Sequence, residues 1–185
     1  MTAQVLWLYG ADAVGKSAVG WDTYTLLAEV GEAVAYVDTD YLGFCSTAPA
    51  DRTELVARNL GAVWAGFTAT GVRLLVVSGI VVTSDDRDRF ERAIPQAELT
   101  FCRLTARADT VRARIVLRRE VEERTRGGEL SAEVRAELEG YGERSVAFAE
   151  LLERTGFGDL AVPTDDRAPA EIAREVVGRW RARPG

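Results

Sequence analysis

Eight consecutive residues, Gly10-Ala11-Asp12-Ala13-Val14-Gly15-Lys16-Ser17, hold the densest chemical information in this chain. The spacing G-x-x-x-x-G-K-S lets a loop turn so that successive backbone N–H groups converge on phosphate oxygens. A helix opening at the lysine adds its positive N-terminal end. Lys16 is then placed to bridge the β- and γ-phosphates of a nucleoside triphosphate, and the Ser17 hydroxyl to hold Mg²⁺. Lys16 is also the one lysine in the chain, set against 22 arginines. A lone ammonium among guanidiniums marks a place where a compact point charge is required and a planar fork will not serve.

Histidine is absent. Imidazole acid–base catalysis, a Ser-His-Asp triad and a histidine-ligated zinc are therefore excluded, and a general base must be a carboxylate or something weaker. Asp38 and Asp40 leave an apolar stretch at residues 33–37 (AVAYV). If that stretch is a strand of a doubly wound sheet, both carboxylates stand at the edge where ligands collect. Asp38 can hold a magnesium water or sit beside Ser17. Asp40 can accept a proton from a substrate hydroxyl or orient it. An extended segment would point both into one cleft. An ordinary polar turn after a strand is the alternative for either aspartate.

Arginines supply the remaining candidates. Arg114 and Arg118 are four residues apart and share a helix face, followed by Arg119, Arg124 and Arg126 toward Gly127-Gly128. A lid of this kind, over residues 118–130, closes on a nucleotide, excludes water and brings positive charge to a moving phosphoryl group. Glu120, Glu122 and Glu123 lie in the same stretch, and a solvated charged helix would read the same way. Arg58 and Asn59 fall on a helix that would flank an acceptor pocket; an arginine there suits an anionic substrate, or is surface charge.

The elements that must position these groups alternate. Strands are expected at residues 4–9 (QVLWLY), 33–37, 73–77 (RLLVV), 99–104 (LTFCRL) and 159–162. Helices are expected at 17–30, from a capping box at Asp51–Glu54 to about Gly71, and at 84–93. Helix resumes from about Asp109, breaks near Gly127-Gly128, continues over 131–155, and a last helix starts at Pro169. The RLLVV run is apolar enough to be buried on both faces. Alternating strands and helices predict a three-layer α/β/α fold with a five-stranded parallel sheet, and the need to place the third strand beside the strand that enters the phosphate loop makes 2-3-1-4-5 the expected order. The 185 residues fit a single domain spanning 1–185.

Net charge is −6, with no lysine-rich tract, which argues against a nucleic-acid partner. No apolar stretch reaches the ~18–20 residues that span a bilayer, which argues against a membrane. Nor does the N-terminus carry the pattern of a secretory signal. Cys45 and Cys102 are too few for a disulfide framework or metal site. The cytoplasm is the expected compartment, with a monomer or homodimer as the expected state. A GTPase switch would need an N-K-x-D-like motif, but the single lysine is already used and the single asparagine, Asn59, stands elsewhere.

Taken together, these motifs resemble the P-loop small-molecule kinases, the group containing shikimate, gluconate and adenylylsulfate kinases. Residues 37–40 (VDTD) are similar to the acidic D-x-D segment after the group's second strand. Residues 52–82, with Arg58-Asn59 and the run LLVVSG ending in Ser78-Gly79, follow the adenylylsulfate-kinase pattern. Residues 104–109 (LTARAD) and 114–118 (RIVLR) look like the fourth strand and the helix leading into the lid. Residues 159–169 (DLAVPTDDRAP) resemble the last strand and the loop that contacts adenine. Thr39 replaces the glycine of the D-G-D form, and Ser78-Gly79 stands where shikimate kinases have a run of glycines. No substrate signature is complete.

The resemblance implies an ATP-dependent phosphotransferase that moves a γ-phosphoryl to a hydroxyl of a small molecule, with Mg²⁺. It implies Lys16, Asp40 and Arg118 in catalysis; Arg114, Arg118, Asp165 and Arg167 beside the P-loop on the nucleotide; and Asp40, Arg58, Asn59, Ser78 and Gly79 around the acceptor. Ser17 and Asp38 would serve the metal. A non-catalytic or regulatory nucleotide-binding module is the alternative.

Overall fold

A computed structural model describes residues 2–47 and 49–183. Strand β1 (Ala3–Tyr9) is followed by the phosphate-loop residues and helix α1 (Lys16–Glu29). Then come β2 (Val34–Asp38), a 3₁₀ turn (Thr39–Gly43), α2 (Arg52–Ala69), β3 (Leu74–Ser78) and α3 (Ser84–Ala93). β4 (Ala97–Thr105) leads into α4 (Ala108–Thr125) and α5 (Ala132–Thr155), and β5 (Leu160–Pro163) into α6 (Pro169–Arg181).

The five strands form one parallel sheet in the expected order β2-β3-β1-β4-β5. The register sets Leu8 beside Ser78 and Cys102, and Asp38 beside Ser78. The end of β2 and the start of the phosphate loop therefore share the carboxyl edge of the sheet, where such folds bind ligands.

Successive side chains of a strand point to opposite faces, and β1 divides accordingly. Val5, Trp7 and Tyr9 pack with Leu60 and Trp64 of α2, Phe90 of α3 and Leu152 of α5. Leu6 and Leu8 pack with Val19 and Leu27 of α1, Val111 and Ile115 of α4, and Ile172 and Val176 of α6. All five of β1's residues from Val5 to Tyr9 are fully enclosed, which is why this strand reads as an unbroken apolar run. No helix among the described residues is long and apolar enough to cross a membrane.

The helix boundaries carry the expected chemistry. The Asp51 side chain accepts from Glu54 N and caps α2. A full capping box that the sequence reading did not assign opens α3, between Thr83 and Asp86. Pro169 sits in the first turn of α6. A 3₁₀ turn replaces the extended segment expected after β2. Asp38 caps it by accepting from Asp40 N at 3.0 Å.

Candidate functional site

The loop between β1 and α1 has the backbone that its glycines make possible. Gly10 (φ 148°) lies so close to the Leu104 carbonyl that a side chain there would overlap it. Gly15, the N-cap of α1, is left-handed (φ 96°). Ala13 is also left-handed (φ 61°), a conformation that costs a non-glycine residue about 1 kcal/mol or more.

Lys16 is the first residue of α1, and its side chain is only 10% exposed. Nζ donates to the carbonyls of Gly10 (3.0 Å) and Ala11 (2.8 Å), so the ammonium folds over the loop and satisfies acceptors that would otherwise face it. Burial lowers its pKa, against the opposing pull of Asp12, Asp40 and Asp38. All three carboxylates therefore lie within electrostatic reach of the one ammonium.

Ser17 and Asp38, twenty-one residues apart, come together. The Ser17 hydroxyl donates to Asp38 Oδ2 at 2.7 Å. A hydroxyl and a carboxylate oxygen side by side are hard donors and fit Mg²⁺, which takes one or two protein oxygens and fills its shell with phosphate and water. No cluster of three or more acidic, cysteine or histidine residues among the described residues offers a fully protein-built metal site.

Tyr36 supports this pair, and no motif spacing marked it. Its hydroxyl lies 2.8 Å from the buried Ser78 Oγ, 3.4 Å from Ser17 O and 3.5 Å from Asp38 Oδ2. Gly20 makes the ring's position possible: a Cβ there would approach Tyr36 Cε2 to 2.7 Å. Burial raises the Tyr36 pKa, so its hydroxyl keeps its proton.

Asp40 and Asp38 do not point into one cleft as alternate residues of a strand would. Between them Thr39 is buried and donates to Ser78 O (3.2 Å), and a side chain at Gly79 would overlap the Thr39 hydroxyl. Ser78 and Gly79 thus brace the turn, Ser78 with its hydroxyl on Tyr36. Asp40 opens instead onto a cleft of about 380 Å³ that it lines with Thr39, Arg52 and Thr53, against an apolar wall including Val56, Val82 and Phe90. Burial raises the Asp40 pKa, and the neighbouring Asp38 charge adds to the effect.

The arginine on this cleft is Arg52, not Arg58. Arg58 is exposed on the outer face of α2 and does not line the cleft. Its neighbour Asn59 donates to Leu42 O (2.9 Å) and so pins the 3₁₀ turn from below. Arg52 lies six residues earlier on α2, packed on Gly43, where a Cβ would come within 2.9 Å of Nε. The face of α2 decides this: Val56 and Leu60 point inward, and Arg58 falls outside that stripe.

On the other side of the loop, Arg114 joins two segments. Nη1 donates to Ala13 O (3.3 Å) and Thr164 Oγ1 (3.0 Å), and Nη2 to Thr164 O (2.7 Å). Thr164, buried after β5, is a second contact that sequence reasoning missed. Asp165 accepts from Arg107 N (2.9 Å). Arg167 donates to Pro163 O (3.1 Å) and pairs with Glu175 (2.8 Å), so both shape the loop after β5. Arg118 is 74% exposed and lies 3.9 Å from Glu122, but its charge still acts on Lys16. Arg119 pairs with Glu122 and Glu123, and Arg126 reaches Glu123 at 4.0 Å. Arg124 donates to Glu120 O (3.3 Å), so beyond Arg118 the stretch behaves as a charged helix paired with itself.

No family model matches the chain. No curated protein matches it either. Among solved structures it is similar over 100% of its length to 97% of a sugar kinase from Janibacter sp. HTCC2649, with a TM-score of 0.63 at 13% identity. It is similar over 98% of its length to 99% of the Mycobacterium tuberculosis APS kinase solved in complex with AMPPNP and APS, with a TM-score of 0.64 at 22% identity. A gluconokinase from Sinorhizobium meliloti 1021 matches 96% of this chain over 91% of its own, with a TM-score of 0.59 at 18% identity. The five-stranded parallel sheet, its strand order and the loop at its carboxyl edge thus give this chain the fold of the P-loop small-molecule kinases that its sequence resembles.

Proposed function

We propose that the protein is an ATP-dependent phosphotransferase that moves the γ-phosphoryl of ATP to a hydroxyl of a small molecule. The observation that carries this reading is the union of Ser17 and Asp38 at 2.7 Å beside a cleft lined by Asp40. A nucleotide module without an acceptor would have no use for a carboxylate-lined cleft next to its metal-holding pair.

In this reading the loop amides from Gly10 to Ser17 bind the phosphate chain, and Lys16 turns from the Gly10 and Ala11 carbonyls to the β- and γ-phosphates. Ser17 and Asp38 would hold Mg²⁺, which would neutralise phosphate charge there. The acceptor lies in the cleft with its hydroxyl on Asp40. Its oxygen forms a bond to the γ-phosphorus as the bond from that phosphorus to the bridging oxygen breaks. ADP leaves, and the hydroxyl proton passes to the Asp40 carboxylate. With a loose transition state the base mainly orients the nucleophile, so a carboxylate suffices where no histidine exists.

Arg114 joins the loop to the segment after β5, where the nucleotide base would lie with Asp165 and Arg167 at its border. Arg118 is the guanidinium that residues 118–130, acting as a lid on the one domain of residues 1–185, would bring to the phosphoryl group. Such an enzyme works where ATP is, in the cytoplasm.

The test is a screen for ADP release over hydroxylated metabolites, nucleosides and antibiotics, run beside Lys16→Ala. Acceptor-dependent release that Lys16→Ala removes is the expected outcome. ATP binding without release on any acceptor would favour the non-catalytic module.

A further inference from the structure

Asp12 poses an electrostatic problem that the phosphate loop must solve. It is an acidic side chain inside a loop built to receive a polyanion, four residues before the lysine that receives it. The structure holds its carboxylate at both oxygens. Oδ2 accepts from the Tyr141 hydroxyl of α5 at 2.6 Å, and Oδ1 lies 3.9 Å from Lys16 Nζ.

Tyr141 is itself fixed. Arg144 lies over its ring, with the guanidinium carbon 5.7 Å from the centroid. The next residue, Gly142, is buried against Arg112 of α4, where a Cβ would come within 3.3 Å of Cγ. Burial, followed by the bond to Asp12, pushes the phenol's pKa up to about 12, so the donated proton stays in place across the neutral range. The Arg118 charge acts on both Tyr141 and Lys16.

We infer that Tyr141 is a positioning residue of the phosphate site: its hydroxyl binds the Asp12 carboxylate toward α5 and leaves Lys16 to the triphosphate. Without the phenol, Asp12 is a free carboxylate that competes with the phosphates for Lys16 and repels them. Because Tyr141 stands on α5, the same bond ties the α4–α5 hairpin to the loop. The inference deepens the nucleotide-binding reading of the loop and rests on it.

The test is ATP binding by calorimetry in the presence of Mg²⁺, on the full chain, for wild type, Tyr141→Phe, Asp12→Asn and the double variant, each with a thermal melt. Tyr141→Phe is expected to weaken ATP binding about tenfold, the scale of one charge-assisted hydrogen bond. In the Asp12→Asn background the same change is expected to matter by less than about twofold, since the charge it restrains is gone. Asp12→Asn alone, which keeps an acceptor for the phenol and removes the charge, is expected to bind ATP at least as tightly as wild type. Wild-type binding by Tyr141→Phe, or an equal loss with and without Asp12, overturns the inference. So does a loss of more than about threefold in Asp12→Asn, whatever the folding of Tyr141→Phe. A wild type that binds no ATP overturns the phosphotransferase reading as well, which separates the two failures.

Discussion

Tyr36→Phe removes a single oxygen, and the structure says which groups lose by it. Ser78 is 1% exposed, and its hydroxyl has the Tyr36 phenol at 2.8 Å as its hydrogen-bond partner. Phenylalanine keeps the ring against Gly20 and Trp21 and leaves the Ser78 hydroxyl buried and unpaired. A buried polar group stripped of its partner costs about 1–3 kcal/mol, whereas removing both partners together is close to neutral. With a cost of about 2 kcal/mol, a chain of this length loses about 4–8 °C in Tm. Ser78→Ala alone leaves the phenol beside Ser17 O and Asp38, and costs less. The double variant Tyr36→Phe with Ser78→Ala should therefore be more stable than Tyr36→Phe by at least half the loss. Thermal melts of the three variants decide it: a double variant no more stable than Tyr36→Phe refutes the assignment of the cost to the orphaned hydroxyl. The same substitution loosens the Ser17–Asp38 pair, so the Mg²⁺ concentration that half-saturates ATP binding should rise in Tyr36→Phe.

Lys16→Ala should lower acceptor-dependent ADP release by about 10²–10³-fold or more, the scale of losing one charge aimed at a transition state, while circular dichroism shows the fold intact. Asp40 has a raised pKa, so the rate should fall as pH drops through a value above that of a free aspartate; Asp40→Asn should be slow with no such acid limb, and an unaltered pH–rate profile would remove Asp40 from the base's role. The folded chain also binds the Asp40 proton more tightly than the unfolded chain does. Ionised Asp40 thus costs stability at neutral pH, and Asp40→Asn should be neutral or stabilising there, an advantage that fades as pH falls through the raised folded-state pKa and is gone below the unfolded-state value. Hydrogen exchange over residues 118–130 should slow when a non-hydrolysable ATP analogue binds; equal exchange with and without it speaks against a lid.

Strong local patterns made most of the architecture legible. The β1 run, the phosphate loop and the β/α alternation each point the same way, and α3 forms over residues 84–93 as its spacing predicts. The union of Ser17 with Asp38 was equally readable, because the motif and the strand edge both fix a position relative to the sheet. What the sequence could not show were contacts that depend on which way a helix faces. Arg58 and Arg52 are the same residue type on the same helix, and only the packing of Val56 and Leu60 against the sheet decides which of them lines the cleft. Tyr36 and Tyr141 were missed for a related reason. An aromatic residue with a polar tip reads as core, and its partner lies on another element.

The 3₁₀ turn shows how one small residue divides the labour of two acidic ones. In an extended segment Asp38 and Asp40 would share a direction and repel each other across one cleft. Thr39 prevents this by entering the core and donating to Ser78 O, a contact that only a glycine at 79 leaves room for. Asp38 then closes the turn with one oxygen, on Asp40 N, and meets Ser17 with the other. Asp40 is carried round to the cleft it lines with Arg52, where burial first and the Asp38 charge second raise its proton affinity. A serine at 39 keeps the hydroxyl and loses a methyl from the buried turn, while a valine keeps the shape and leaves Ser78 O without its donor. Thr39→Val should therefore disturb both carboxylates at once, weakening the Mg²⁺ response and slowing transfer together, where Asp38→Asn and Asp40→Asn each affect mainly one. Measuring both quantities in the three variants tests the division directly: a Thr39→Val protein that changes one quantity alone would show that the turn does not couple them.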